Sequence, residues 1–311
     1  MAEGNGRNFR QYCFRVTHMS HIHIGLSGRY TIEKRNAAGE VVQTLEFDNL
    51  ITDAGIERWG TAGVIDRCYL GSGSATPAVT DTAMAASLGV ATSTTTAPGN
   101  TYSAAAATQT INLAWRAGPG VCTGDIREVG VGWSTGLWSR ALIRDTQGNP
   151  TTISKAADET LDVSYAVTLQ YPTTPIVGSI TIQGVSYDWR AYPYLPTSGS
   201  TLSSIFSTRR TGAGSSSGFA YDGGNNPNGN PSGSTVGYTT SITSSPYVPG
   251  SKRVENTYQF GLDRPGTYRT FQVSFGDSYY TTEAQVEFTP GIPKDAAQTL
   301  KVVFSHSWGR A

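Results

Sequence analysis

The residues best suited to chemistry are three histidines near the start of the chain, in the segment His-Met-Ser-His-Ile-His at positions 18, 21 and 23. His21 and His23 lie two residues apart, so on a β-strand both imidazoles point to the same face. Around a threefold axis, three such pairs would supply six imidazoles, an octahedral set suited to a transition metal. The alternative is that these are ordinary polar residues of an arm. Because no cysteine or carboxylate nearby completes a site within one chain, we favour the alternative and predict no cofactor.

Carboxylates are the second candidate chemistry, because a glycan hydrolase needs two of them at a fixed separation. Alternation along the chain places Glu128 opposite in sense to Val129, so Glu128 either faces solvent or pairs with Arg140. Nothing in the sequence fixes two carboxylates at the required separation, and we assign no catalytic residue and expect no enzyme. The residues considered are Asp125, Glu128, Asp145, Asp158, Glu159 and Asp162.

Composition limits the partners of this chain of 311 residues. It has 23 Lys and Arg against 23 Asp and Glu, so a formal net charge of zero gives no general attraction to nucleic acid or to a membrane surface. No apolar run approaches the roughly 20 residues of a membrane-spanning helix. The three cysteines are far apart, which is typical of a reducing compartment and predicts no disulfide framework.

Period-two patterns predict antiparallel β-strands over much of the chain. In Asp125–Tyr171, the residues Val129, Val131 and Trp133 alternate with small residues and lead through Ser134–Gly136 into a return strand. Arg29–Phe47 predicts another hairpin, with its turn at Asn36–Gly39. We expect short helices to begin at Thr52 or Asp53 and at Asp81.

An internal similarity suggests a duplication. The segment from Ile153 to Tyr165 aligns with the segment from Ile292 to Phe304, and the hairpins upstream also correspond. Chance similarity between short strand patterns is the alternative. We predict an all-β protein with two tandem, related, antiparallel β-sandwich-like domains. The predicted boundaries are an N-terminal arm at 1–28, a first domain at 29–172, and a second domain at 173–311 with an insertion at 197–249.

The arm and the Gly/Ser-rich insertion are the segments that we expect to contact other subunits. Aromatic residues are favoured in such contacts. The predicted contact residues are Phe9, Tyr12, Phe14, Tyr221, Tyr238 and Tyr247.

Four segments in the first half resemble tail-associated structural proteins of tailed bacteriophages, which include tail-fibre, baseplate and tail-tip components. The resemblance covers about half of the chain, from Arg29 to Pro172. The resemblance implies a virion protein, made in the host bacterial cytoplasm, that assembles with cyclic symmetry as a trimer or higher oligomer and links other tail proteins. The segments are Phe47–Gly55, Tyr69–Thr82, Glu128–Val131 and Ser139–Ile143.

Two further functions stay open at this point. The first is a receptor-binding tail-fibre module that recognises host surface glycan through the tyrosine-bearing loops of the insertion. The second is a tailspike-type glycan hydrolase. The absence of fibrous repeats argues against a free-standing fibre shaft and favours a collar, sheath-like, baseplate or fibre-anchoring subunit.

Overall fold

The structure, a computed structural model, describes residues 12–61, 65–103, 105–194, 218–226, 230–275 and 282–311. Within these ranges the chain forms twenty β-strands and one short helix, so the prediction of an all-β protein is confirmed.

The elements of the first half follow in chain order. They are β1 (Tyr12–Arg35), β2 (Val41–Asp48), β3 (Leu50–Ile51), α1 (Asp53–Thr61), β4 (Arg67–Gly71), β5 (Ser87–Ala91), β6 (Thr101–Ser103), β7 (Thr108–Ala117), β8 (Gly124–Ile126), β9 (Glu128–Trp133), β10 (Gly136–Leu142), β11 (Ile153–Lys155) and β12 (Thr160–Gln170).

The second half contributes eight described strands. They are β13 (Ile176–Ile182), β14 (Val185–Tyr194), β15 (Gly218–Tyr221), β16 (Thr235–Ser244), β17 (Arg253–Phe260), β18 (Gly266–Phe275), β19 (Thr282–Lys294) and β20 (Gln298–Arg310).

Most strands belong to one 13-stranded sheet in the order β13-β14-β19-β18-β15-β16-β17-β20-β1-β12-β7-β6, with β2 paired to β1. A five-stranded sheet has the order β3-β10-β9-β4-β5, and β8 pairs with β11. The large sheet curls on itself. Its terminal strand β13 contacts β1, although the described residues of the two strands form no hydrogen-bonded ladder.

The two halves repeat one strand order. The series β10-β9-β4-β5 in the first half corresponds to β19-β18-β15-β16 in the second, and each neighbouring pair is antiparallel. The series β7-β12 and β17-β20 then lead to the two sides of one strand, β1. This arrangement is what a duplicated chain predicts.

The shared strand β1 departs from the expected antiparallel pattern. Its residues Gly25–Arg35 pair with β12 antiparallel, whereas Tyr12–Leu26 pair with β20 in parallel. Gly28, the predicted end of a separate arm, therefore lies inside a continuous strand. Ile22, Ile24 and Leu26 are buried, so this part of the chain has its partner in its own body.

The predicted helix at Thr52 is present as α1, and the helix predicted at Asp81 is not. The Thr52 hydroxyl accepts a hydrogen bond from the Gly55 N–H (2.9 Å), which caps α1. A helix from Asp81 would bond the Ala85 N–H to the Asp81 carbonyl. The Glu128 carboxylate accepts that N–H instead (3.2 Å), and the chain runs through bends into β5.

The described part of the predicted insertion is integral to the large sheet. It contains β15 and β16, which lie between β18 and β17. Strand pairing on both sides therefore fixes residues that the sequence assigned to an appended loop.

Aromatic side chains join the halves around α1. Trp308 of β20 packs against Trp59 with ring centroids 6.1 Å apart, and its indole N–H donates to the Ile56 carbonyl (2.8 Å). Tyr247 stacks on Trp308 and donates its hydroxyl to Glu57 (2.9 Å). The halves therefore share one buried core.

Candidate functional site

A buried ion pair anchors the loop between β4 and β5, residues 72–86. Glu128 begins β9 and Arg140 lies on β10, where Glu128 pairs with Leu142 and Arg140 with Gly130. Positions two apart on a strand share a face, so both side chains meet on one side of the sheet. The Arg140 Nε–Glu128 Oε2 distance is 2.7 Å, and both side chains are almost completely buried.

The Glu128 carboxylate also takes up backbone N–H groups of the loop. Oε1 accepts hydrogen bonds from Gly73 (3.2 Å) and Ala86 (2.7 Å), and Oε2 accepts one from Ala85 (3.2 Å). A side chain at Gly73 would collide with this carboxylate, so glycine is required there. Four donors satisfy a charge that would otherwise be costly to bury.

Arg140 extends the network to the middle of the loop. It donates through Nη2 to the Ala75 carbonyl (2.9 Å) and through Nη1 to Asp81 (2.6 Å). Burial raises the pKa of Asp81, but hydrogen bonds from the Ala78 N–H and Arg140 outweigh it and leave this pKa below its ordinary value. All three charged side chains therefore bind either each other or the backbone of the loop. We name Asp81, Glu128 and Arg140 together the loop clamp.

The second half holds the described residues of its corresponding loop, 222–226 and 230–234, largely with amides and a hydroxyl, and the Glu287 carboxylate also accepts the Asn225 N–H (3.4 Å). The Gln285 side-chain oxygen accepts the Asn226 N–H (2.9 Å), and the Thr270 hydroxyl donates to the Gly223 carbonyl (2.7 Å). Gln272, which aligns with Glu128, is buried and contacts Asn230. The two loops are therefore anchored at equivalent places, the first around a buried ion pair and the second largely through amides and a hydroxyl.

A cleft of about 710 Å³ opens on the sheet face beside this second loop, across strands β13, β14, β19 and β18. Arg269 and Glu287 form an ion pair at 2.7 Å, and strand register places Arg190 opposite Glu287 and Asp188 opposite Thr289. The cleft therefore contains positively charged hydrogen-bond donors, negatively charged acceptors and neutral hydroxyl groups. Its polar lining includes Ser179, Asp188, Arg190, Arg269, Glu287 and Thr289.

Strand β5 presents an apolar edge. It is the last strand of the five-stranded sheet and pairs only with β4 among the described strands. Leu88 and Val90 are exposed, each at 37%. The strand contains neither a charged residue nor a proline, the features that commonly protect a free edge from pairing with another chain.

Of the three histidines at positions 18, 21 and 23, the structure describes the side chain of His23. The His23 imidazole is exposed, and its Nδ1 lies 2.9 Å from the Ser307 hydroxyl oxygen. The side chains of His18 and His21 lie outside the described residues. Among the side chains that are described, no group of three or more His, Cys, Asp or Glu could hold a metal ion.

The predicted contact aromatics have different surroundings. Tyr221 is buried and Tyr247 packs against Trp308, so both side chains make contacts within the chain. Tyr238 is 44% exposed, with the Arg264 guanidinium 4.4 Å from its ring centroid. Phe9 lies outside the described residues, and Tyr12 and Phe14 are described only by their backbone pairing in β1.

Five of the six carboxylates considered for catalysis are engaged in ion pairs or hydrogen bonds within the chain. Of the two alternatives for Glu128, pairing with Arg140 is correct and exposure to solvent is wrong. Asp162 binds Arg35 and Arg116, Glu159 binds Lys34, and Asp125 accepts the Ser154 hydroxyl. Asp145 accepts backbone N–H groups of its own turn.

The sequence did not indicate the cluster of Glu57, Tyr247 and Trp308. Glu57 and Tyr247 are 190 positions apart, and no local pattern relates them. The only available signal was compositional, since tryptophan and tyrosine are expected in cores and interfaces.

Comparisons with protein-family models, with curated proteins and with solved structures find no match to this chain. The helix found among the described residues is not long and apolar enough to cross a membrane.

Proposed function

We propose that this chain is a structural subunit of a bacteriophage tail that assembles with copies of itself and links other tail proteins. The segments around Tyr69–Thr82 and Glu128–Val131 resemble such proteins. They fall on β4, its following loop and β9, which are the elements that the loop clamp joins. The proposal thus assigns the resembling segments to one rigid structural unit.

The observation that carries the proposal is the apolar edge of β5. A free edge strand is a template for pairing with another chain, and proteins that stay monomeric usually place charges or prolines on it. This edge has neither and exposes Leu88 and Val90. Such an edge suits a chain whose neighbours cover it.

A lysine at the edge tests self-assembly. Val90→Lys should abolish oligomers while the circular dichroism and unfolding midpoint stay close to wild type, because Val90 already has solvent contact. Val42→Lys on β2 is the matched control, since Val42 is 53% exposed on a different strand and should leave assembly unchanged. Sedimentation of the purified full-length variants gives the readout. Assembly by Val90→Lys equal to that of wild type would contradict the role of β5.

A second experiment tests the location. Gold-labelled antibody against the chain should mark the tail in electron micrographs of particles of the phage that encodes it. Label on the head alone, or absence of the chain from purified particles, would overturn the proposal even if the protein assembles in solution.

The cleft favours one second candidate, recognition of host surface glycan. Saccharide hydroxyl groups both donate and accept hydrogen bonds, and the cleft provides arginines, carboxylates and hydroxyls together. In this candidate, Arg190→Ala weakens binding of the purified protein to host lipopolysaccharide, whereas Arg253→Ala, at an exposed ion pair elsewhere, does not. Equal binding by both variants and wild type would argue against the cleft.

A further inference from the structure

The second half of the chain does not complete its own sheet. In the first half, β12 pairs antiparallel with Gly25–Arg35 of β1, part of the strand that opens that half. The corresponding strand β20 does not pair with β13, the strand that opens the second half. Its free side is instead occupied in parallel by Tyr12–Leu26 of β1, and β13 contacts β1 without pairing with it.

This segment is therefore an inserted strand. Among the described ladders, its pairing with β20 is the parallel one, and every other pair is antiparallel. The register shifts twice along it, between Val16 and Met19 and between Met19 and His21. We name Tyr12–Leu26 the inserted strand and the position beside β20 that it occupies the slot.

The halves also contact each other at places that do not involve the inserted strand. Trp308 packs against α1, and the Arg310 guanidinium donates to the Ile51 carbonyl (2.6 Å) and to Asp53 (2.6 Å). The Tyr247 hydroxyl and the Gly250 N–H both donate hydrogen bonds to the Glu57 carboxylate. These contacts can persist when the slot receives the same strand from another molecule.

The point where the inserted strand leaves the slot contains glycines. Gly25 is opposite Gln170 of β12 on one side and Gly309 of β20 on the other, so the change of partner occurs there. Gly28 follows three residues later and is held by close contact with Tyr165 and Asn49. A backbone without Cβ atoms bends at low steric cost, so a hinge at Gly25 can redirect the strand while Arg29–Arg35 stays in the first half.

We propose that in the assembled protein the slot of each copy is filled by the inserted strand of a neighbouring copy. This inference rests on the self-assembly in the proposed function. Exchange of an identical element forms between two copies the same backbone hydrogen bonds that the single chain forms within itself, which is a low-cost route to oligomers. Passed from copy to copy, the strand can close a ring.

Cysteines across the slot test the exchange. The His23 Nδ1 and Ser307 Oγ atoms are 2.9 Å apart, so cysteines at these positions come within reach of a disulfide. His23→Cys and Ser307→Cys are made in separate full-length chains that also carry Cys13→Ser, which removes the other thiol on β1. The two chains are co-expressed, oxidised and run on a non-reducing gel. Cys68 and Cys122 are buried and serve as unreactive background.

If the strand is exchanged, the oxidised, co-expressed chains should run on the gel as a disulfide-linked dimer that contains one chain of each kind. The matched control is Thr31→Cys with Ser164→Cys, which are opposite each other on β1 and β12 beyond the hinge. As separate chains this control pair should give no mixed dimer, and as a double variant it should close within one chain.

Two outcomes would overturn the exchange, and they differ in what they say about self-assembly. Oligomers in sedimentation, with no mixed dimer and with closure within one chain for the His23→Cys/Ser307→Cys double variant, reject the exchange alone. A protein that stays monomeric in sedimentation rejects self-assembly and the exchange with it.

Discussion

Lys155 and Lys294 make the same contact in the two halves of the chain. Each lysine is buried and ends a β segment, and each donates from Nζ to a carbonyl of a loop, Gly118 at 3.0 Å and Arg264 at 3.1 Å. Burial lowers the pKa of both ammonium groups. The turn that follows also repeats, because the Glu159 and Gln298 side chains each accept the N–H three residues earlier. These equivalences support the duplication, which stays a prediction.

Equivalent positions should respond alike to the same change. Lys155→Met and Lys294→Met keep the side-chain length but leave a buried carbonyl without its charged donor, which costs about 1–3 kcal/mol. We expect each variant to lower the free energy of unfolding by a similar amount in urea denaturation. Lys301→Met, on a half-buried position of β20, is the control and should change little. Opposite signs for the two buried sites would count against the equivalence.

The loop clamp should be the most sensitive polar site. Glu128→Gln replaces a carboxylate that accepts four hydrogen bonds by an amide whose NH₂ group cannot accept them, and it leaves Arg140 buried beside one remaining carboxylate. Removing one partner of a buried ion pair costs about 3–5 kcal/mol.

The control for the clamp is an exposed ion pair. Glu46→Gln removes one of the two carboxylate partners of Arg29, at an ion pair in which both side chains are more than half exposed, and should cost at most about 1 kcal/mol. Thermal unfolding and protease cleavage within residues 72–86 are the measurements. A Glu128→Gln protein as stable and as protease-resistant as Glu46→Gln would show that the loop does not depend on the clamp.

The sequence was most informative where strands pair locally. Alternation predicted the β9–β10 hairpin and gave the pairing of Glu128 with Arg140 as one of two alternatives for Glu128, because a tight turn fixes which residues lie opposite each other. The third member of the clamp, Asp81, could not be predicted, since a loop held by backbone N–H groups has no periodic signal. The sequence pattern at Asp81 instead predicts the start of a short helix.

Long-range pairing was beyond the sequence for a different reason. Ile22, Ile24 and Leu26 do alternate, and that pattern could have extended β1 into the predicted arm. The pattern does not indicate which strand pairs with this segment. His23 contacts Ser307, which lies 284 positions away in the sequence. Any apolar edge satisfies the same alternation, so the parallel pairing with β20 needed the structure.

Acid should destabilise the protein through Asp162. Burial raises the pKa of this carboxyl, but hydrogen bonds from Arg116 (2.6 and 2.7 Å) and Arg35 (2.8 Å) outweigh it, so the folded-state pKa lies below the ordinary 3.8. The ion pairs therefore stabilise the fold fully above pH 3.8, and this contribution is lost as the pH falls through the lowered value.

The measurement is the free energy of unfolding between pH 6 and pH 2, read as a slope against pH. Asp162→Asn should be less stable than wild type at pH 6 and should show a shallower decline towards low pH. Asp48→Asn, at an exposed ion pair with Arg29, should keep the wild-type slope. Parallel curves for wild type and Asp162→Asn would assign the acid sensitivity to other groups.

Trp308 should couple the unfolding of the two halves. It is buried, contacts Trp59 and Tyr247, and donates its indole N–H to the Ile56 carbonyl of α1. Trp308→Ala removes these contacts and should cost about 3–5 kcal/mol. Trp308→Phe keeps most of the apolar contact and loses the hydrogen bond, so it should cost about 1–3 kcal/mol.

The shape of the unfolding transition distinguishes coupling from simple loss of stability. Hydrogen exchange of β9 and β17 amides reports on the two halves separately. In wild type both sets should exchange with one free energy of opening, whereas in Trp308→Ala the β17 set should open at a lower free energy than the β9 set. Equal lowering of both sets would mean that the inserted strand of β1, rather than the Trp308 contact with α1, makes the two halves unfold together.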